Sequence, residues 1–259
     1  MAETGAVTTR GERVQLTTPD GPAEAYLTRP AEHPGPHPGV LLYMDAIGLR
    51  PQIERVADRI ADWGHVVLAP NVFHRHGTAA EIAPTTDLRL PGEREAFFAT
   101  VMPLVASHSA EEAARDLSAY VAALDADPDV APGPIGTVGY CMGGRLALRA
   151  GAQLPDRVAA IGMFHVGGLV TDAPDSPHLS IPQVRGEVLA GYADHDGSMP
   201  PEAVATVDEA LSAAGLAHTT AVYPGASHGF VMADTSMYDE DAAERHYREL
   251  QDLLARALV

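Results

Sequence analysis

The sequence predicts an α/β fold: one doubly wound domain with a mostly parallel central sheet and helices on both faces. Three observations carry that prediction. Apolar runs of strand length alternate with segments of helical period along almost the whole chain. A glycine-framed turn, Gly139-Tyr140-Cys141-Met142-Gly143, joins one such run to a helical segment. At 259 residues, 46% hydrophobic and 20% charged, the chain has the length and composition of a single large globule spanning 1–259.

Taken in order, Val14 to Thr17 and Ala23 to Thr28 read as strands joined by the turn Thr18-Pro19-Asp20-Gly21, a hairpin for the sheet edge. Pro34 to Pro38 make a loop, and Gly39 to Met44 is a continuous apolar run of the kind a central parallel strand needs, ending at Asp45. After Pro51 the apolar residues Ile53, Val56, Ala57 and Ile60 recur at helical spacing until Gly64; Val66 to Ala69 is the next strand. Asn71 to Pro91 has no period and reads as an excursion over the top of the sheet. Helices are expected from near Arg94 and, opened by the capping box Ser109-Ala110-Glu111-Glu112, to about Asp125.

Ile135 to Tyr140 is a strand, with a helix from Arg145 onward. Val158 to Phe164 (strand), His165 to Pro182 (loop), Glu187 to Gly191 (strand), Pro201 to Ala214 (helix) and Thr219 to Tyr223 (strand) continue the alternation. An amphipathic helix from Asp239 to Leu258, with Tyr247, Leu250, Leu253 and Leu254 on one face, completes it.

Composition excludes several functions. All 17 cationic side chains are arginine, which removes lysine Schiff-base chemistry and the Walker phosphate loop. A net charge of -18 repels phosphate backbones, so nucleic acid is not an expected partner. The single cysteine cannot form an internal disulfide, the first ten residues lack a signal-peptide pattern, and no apolar run reaches membrane-spanning length. The expectation is a cytoplasmic protein without a membrane partner, a monomer or a small homo-oligomer. The pair His74 and His76 has no third ligand in sight, so no metal and no cofactor is expected.

The turn around Cys141 has the form Gly-x-nucleophile-x-Gly. Such an elbow strains its central residue, and the glycines let strand and helix approach closely. A thiol there sits at a helix N-terminus, which favours thiolate and can bind an oxyanion. A buried, inert cysteine is the alternative. What tells against it is the order of strand-end residues that follow: Asp194 in Gly191-Tyr192-Ala193-Asp194-His195-Asp196, then His228 in Gly225-Ala226-Ser227-His228-Gly229-Phe230. Nucleophile, acid, histidine is the chain order of α/β-hydrolase triads. Asp194 is favoured as the acid because it lies nearest the expected strand end; Asp196 remains the other candidate. Asp45 ends the strand before, and the N–H groups of Ala46 and Met142 are the natural oxyanion pair. Asp45 is expected close to the thiol, where its charge would oppose the thiolate.

On these segments, Gly139-Tyr140-Cys141-Met142-Gly143-Gly144, Asp45 with Gly48, Asp194-His195, and Gly225 to Phe230, the chain resembles the dienelactone hydrolase family over nearly its whole length. The resemblance implies an α/β-hydrolase fold and a triad of Cys141, His228 and Asp194 that opens enol-lactones. Two departures stand out. The family typically has Glu where this chain has Asp45, and Met232 stands where dienelactone-specific members resemble one another in an Arg that holds the substrate carboxylate. A charge-assisted hydrogen bond of that kind contributes about 1.5 to 3 kcal/mol. Arg94, Arg75 and Arg89 are candidates to replace it; otherwise a less charged acyl substrate is favoured, in a pocket lined by Ile47, Tyr192, Phe230 and Met232. The expected activity is hydrolysis of a small carboxylic ester or lactone through a thioacyl-enzyme. The rivals are acyl transfer, cyclisation or isomerisation on the same scaffold, and a small-molecule-binding protein without turnover.

Overall fold

The computed structural model describes residues 10–31 and 35–258; the N-terminal residues 1–9, part of the expected loop at Pro34, and Val259 lie outside the described residues. Eight strands form one sheet: β1 (Glu12–Thr18), β2 (Gly21–Thr28), β3 (Gly39–Tyr43), β4 (Val66–Pro70), β5 (Ile135–Tyr140), β6 (Val158–Phe164), β7 (Glu187–Ala193) and β8 (His218–Tyr223). Their order is β1-β2-β4-β3-β5-β6-β7-β8. The β1–β2 hairpin joins antiparallel to β4, and every pairing from β4 to β8 is parallel.

The central strands β3, β4 and β5 are buried at every residue, which is why their sequences are unbroken apolar runs and not alternating ones. Alternation still decides which helix each residue meets. Along β5, the Thr137 hydroxyl donates to the Ala147 carbonyl of helix α5 (Met142–Gln153), while Gly136 lies under Leu254 and Leu258 and the Tyr140 hydroxyl reaches His246 at 2.8 Å, on the side of helix α7 (Glu240–Ala257). The two helices therefore cover opposite faces of the sheet. Helix α1 (Pro51–Ala61) shares the α7 face, since Arg59 pairs with Glu244 and stacks on Tyr247 at 3.7 Å.

The overlying excursion contains a short helix α2 (Ala79–Ile82), closed by a Thr78/Glu81 capping box too brief to leave a period in the sequence. Helix α3 (Glu93–Ser107) follows, then α4 (Ala110–Asp125) with its capping box at Ser109 and Glu112. A 3₁₀ turn at Pro177–Gln183 lies in the stretch expected to be loop, and α6 (Pro201–Ala213) precedes β8. Two boundaries differ in ways that matter for the site. Helix α5 starts at Met142, three residues before the expected Arg145, and β7 runs two residues past Gly191.

Candidate active site

Cys141 sits between β5 and α5 with φ 53° and ψ -119°, a conformation rarely adopted by non-glycine residues. The flanking glycines explain how the turn fits. A Cβ on Gly139 would lie 2.0 Å from the Gly143 carbonyl oxygen, and one on Gly143 would lie 2.4 Å from the Met44 carbonyl oxygen. Gly143 is already the second residue of α5, so the helix opens at Met142, whose N–H is one of the four a helix leaves without an intrahelical partner.

The sheet order sets out the neighbours of Cys141. Strand β3 on one side runs to Tyr43, with Asp45 two residues past its end, and β6 on the other runs to Phe164, with His165 next; neighbouring strands lie about 4.8 Å apart. Beyond β6, the turn after β7 carries Asp194 and Asp196, and the loop after β8 carries His228.

The acid that meets His228 is Asp196, with Nδ1 to Oδ2 at 2.6 Å. Asp194 does not reach it: its carboxylate accepts the Gly225 N–H at 2.9 Å and braces the loop before the histidine. The expectation for Asp194 failed because β7 continues through Tyr192 and Ala193; Asp194 opens the turn, and two further residues are needed to aim a carboxylate at the loop after β8. Asp196 is fixed by Ser198, whose N–H and hydroxyl both donate to Oδ1, at 2.9 and 2.6 Å. Burial raises the Asp196 carboxyl, but the hydrogen bonds from His228 and Ser198 and the histidine's charge outweigh it, leaving its pKa below the usual value. Burial likewise works against charging His228, yet its interactions with Asp196 and with Cys141 prevail and push its pKa up to about 10.

Asp45 is 3% exposed and lines a small cavity beside Cys141. Its charge is not free to act on the thiol as expected from sequence. The equally buried Arg50 grips it through two bonds, at 2.6 and 3.1 Å, and holds Asp234 with two more, again at 2.6 and 3.1 Å. Burial disfavours the Arg50 cation, but the two carboxylates overcome this and raise its pKa. The Ile47 N–H also donates to Asp45, at 3.0 Å, fixing the loop that carries Ala46.

Helix α3 roofs a pocket of about 340 Å³ with Phe98, Met102 and Val105; Ala46, Cys141, Met142 and His228 form its floor. Of the arginines considered from sequence, Arg94 reaches this pocket and lies over the Phe98 ring at 4.5 Å. Arg75 is spent on Asp20 and Asp116, and Arg89 on Asp87. Ile47 and Met232 line the smaller cavity beside Cys141. Phe230 instead stacks on Tyr223 at 4.8 Å, and Tyr192 is buried in the core; neither lines the walls expected of them. His74 bonds Asp116 and His76 bonds Ser107, so the two histidines face different partners.

Sequence reasoning missed Arg145. One helical turn after Cys141, it lines the pocket without a carboxylate partner among the described residues, and burial pushes its guanidinium down against the opposing charge of Cys141. The signal was the i, i+4 spacing from an N-cap nucleophile, which puts both side chains on one face.

The family model of the dienelactone hydrolase family matches residues 23–258. The chain belongs to the dienelactone hydrolase family. It is therefore a hydrolase of the carboxylic-ester class, on an α/β-hydrolase fold. A protein of Synechocystis sp. named "Putative carboxymethylenebutenolidase" is 28% identical over 236 residues, covering 90% of this chain and 91% of the other. Among solved structures, "Putative Dienelactone Hydrolase from Klebsiella pneumoniae subsp. pneumoniae MGH 78578" superposes with a TM-score of 0.80 at 24% identity, covering 96% and 99% of the two chains. The dienelactone hydrolase-like promiscuous phosphotriesterase P91 from metagenomic libraries gives 0.78 at 20% identity, covering 97% and 99%. In this dienelactone hydrolase relative no helix among the described residues is long and apolar enough to cross a membrane.

Proposed function

We propose that the protein hydrolyses a small carboxylic ester or lactone through a thioacyl-enzyme on Cys141. The observation that carries this reading is the 2.6 Å contact between His228 and the buried Asp196, in a pocket whose floor is the strained Cys141. His228, held by Asp196, takes the proton of the Cys141 thiol as the sulfur attacks the carbonyl carbon. The oxyanion that forms is received by the N–H groups of Met142 and Ala46. His228 then protonates the leaving oxygen, and in the second half it takes a proton from water as the C–S bond breaks. Asp196 holds the imidazole and is not itself protonated.

The pocket modifies the expectation of an apolar substrate. Arg94 and Arg145 both line it, and Arg145 has no carboxylate partner among the described residues, so a substrate bearing its own carboxylate beside an apolar body fits better than a neutral one. This is also the chemistry in the names of the relatives.

The test is intact-mass analysis after brief exposure to p-nitrophenyl acetate. One acetyl group on Cys141, absent in Cys141→Ala, is the expected result. A folded Cys141→Ala with wild-type turnover would sink the mechanism. For the substrate class, a free carboxylate lactone should beat its methyl ester in kcat/KM by about tenfold or more.

A further inference from the structure

His165 directly follows β6, the strand beside the nucleophile strand, at φ 34°. It is completely buried, and neither of its ring nitrogens has a hydrogen-bond partner among the described residues. Such a group is costly to bury unpaired, so a histidine with two orphaned nitrogens needs a physical reason. The ring is clasped edge-to-face between Phe230 at 5.2 Å and His228 at 5.3 Å, with Tyr140 at 5.7 Å. It lines the small cavity that also meets Asp45, Cys141, His228 and Thr235.

The volume of that cavity is about 10 Å³, close to the minimum that accommodates one water. Its polar walls supply the two to four partners a fixed water requires: the His165 ring, the His228 ring and the Asp45 carboxylate. Burial first, and the neighbouring His228 and His246 next, keep the His165 pKa well below its ordinary value, so this ring stays neutral beside the His228 cation. A neutral imidazole has one donor and one acceptor and can orient a water without competing for its proton.

We propose that His165 is a positioning residue that seats the hydrolytic water in this cavity, against Cys141 and within reach of His228. The inference rests on the thioacyl reading above. In the step it serves, the water oxygen bonds to the thioester carbonyl carbon, a water proton passes to His228, the C–S bond breaks, and the sulfur leaves as thiolate or takes the proton from His228. The products are a carboxylic acid and the free enzyme. His165 would therefore matter to deacylation and not to acylation, which needs no water.

The experiment is rapid mixing of wild type, His165→Phe and His165→Asn with p-nitrophenyl acetate, following nitrophenolate release and the acetyl mass on Cys141. His165→Phe keeps the ring and loses both nitrogens; Asn tolerates the positive φ and restores a donor and an acceptor. Expected for His165→Phe is a nitrophenolate burst within about twofold of wild type, with deacylation slowed about 10²-fold and acetyl-Cys141 accumulating. His165→Asn should recover part of that loss. Deacylation at the wild-type rate in a folded His165→Phe overturns the proposal, as does a parallel fall of both phases or a rise confined to KM. Absence of any acetyl group on wild-type Cys141 sinks the thioacyl reading itself, a distinct result. A measurement on the wild type covers the case of a variant that does not fold. A seat that orients water favours it over methanol, so added methanol should leave acetic acid as the main product, whereas methyl acetate in proportion to methanol concentration overturns the proposal.

Discussion

Two buried carboxylates stand on opposite sides of Cys141, and their partners make them opposites. Asp45 after β3 is bound to Arg50, whose charge is permanent, and that arginine is shared with Asp234. Asp196 after β7 is bound to His228, whose charge can come and go. The first corner is locked: its charge is fixed, and it holds the loop carrying Ala46. In the proposed mechanism the second is loaded, since a proton held at His228 would be handed to the substrate and taken back. A strand-end acid is thus catalytic or structural according to the titratability of its partner, and the acid alone does not say which.

The largest effect that would break this comparison is at the loaded corner. Asp196→Asn should lower kcat by about 10⁴-fold, because the imidazole loses its orienting carboxylate. Asp194→Asn, which loses a brace to Gly225, should cost less than about tenfold. Side-by-side kinetics in which Asp194→Asn does more damage would reverse the assignment.

Next comes the locked corner. Arg50→Met leaves Asp45 and Asp234 without their cation, and breaking a buried pair in this way costs about 3–5 kcal/mol of stability. Urea unfolding measures it; adding Asp45→Asn to Arg50→Met should recover part of the loss. A midpoint unchanged by Arg50→Met would show that the ion triad contributes nothing.

pH separates the corners further. The pKa of His228 is raised to about 10, so its contribution to stability is fully present below about 6.5, the unfolded value, and is lost as pH rises through about 10. His246 has the opposite sign: burial, aided by the Arg59 charge, holds it neutral, with a pKa of about 3, so stability is present above about 6.5 and is lost as pH falls toward 3. NMR titration of the ring protons should find His228 charged at neutral pH and His246 neutral, with Asp196→Asn moving His228 downward. A wild-type His228 that titrates near 6.5 would contradict the loaded corner.

The smallest effect is at Asp45. With Arg50 neutralising the carboxylate, Asp45→Asn should change the rate of Cys141 alkylation at neutral pH by less than about threefold. Acceleration by tenfold or more would mean that the carboxylate does press on the thiol, as its position in the sequence suggested.

The fold was legible because its grammar is local. Unbroken apolar runs such as Gly39 to Met44 mark strands buried on both faces, and the capping box at Ser109 marks a helix start in four residues. Cys141 and His228 were legible because glycines frame both. Asp196 was weighed and placed second, because its selection depends on how far β7 extends, and strand ends carry no sharp chemical mark. Arg50 and Asp234 lie 184 positions apart, and Arg145 on a helix looks like any solvated arginine until α3 roofs it. Contacts between distant segments leave no local pattern; these were the parts that needed the structure.

The contact of Gly139 with Gly143, and of Gly143 with Met44, bears on how this scaffold can diversify. A Cβ at either glycine meets backbone oxygen at 2.0 or 2.4 Å, which no rotamer change relieves. A side chain at Gly139 or Gly143 therefore requires the backbone of the elbow itself to move. The roof is different: Phe98 is partly buried, Met102 is 47% exposed, and both reach the pocket through their side chains. Side chains on α3 can therefore be exchanged with the backbone of the elbow left in place, which makes the roof the part of this pocket open to redesign.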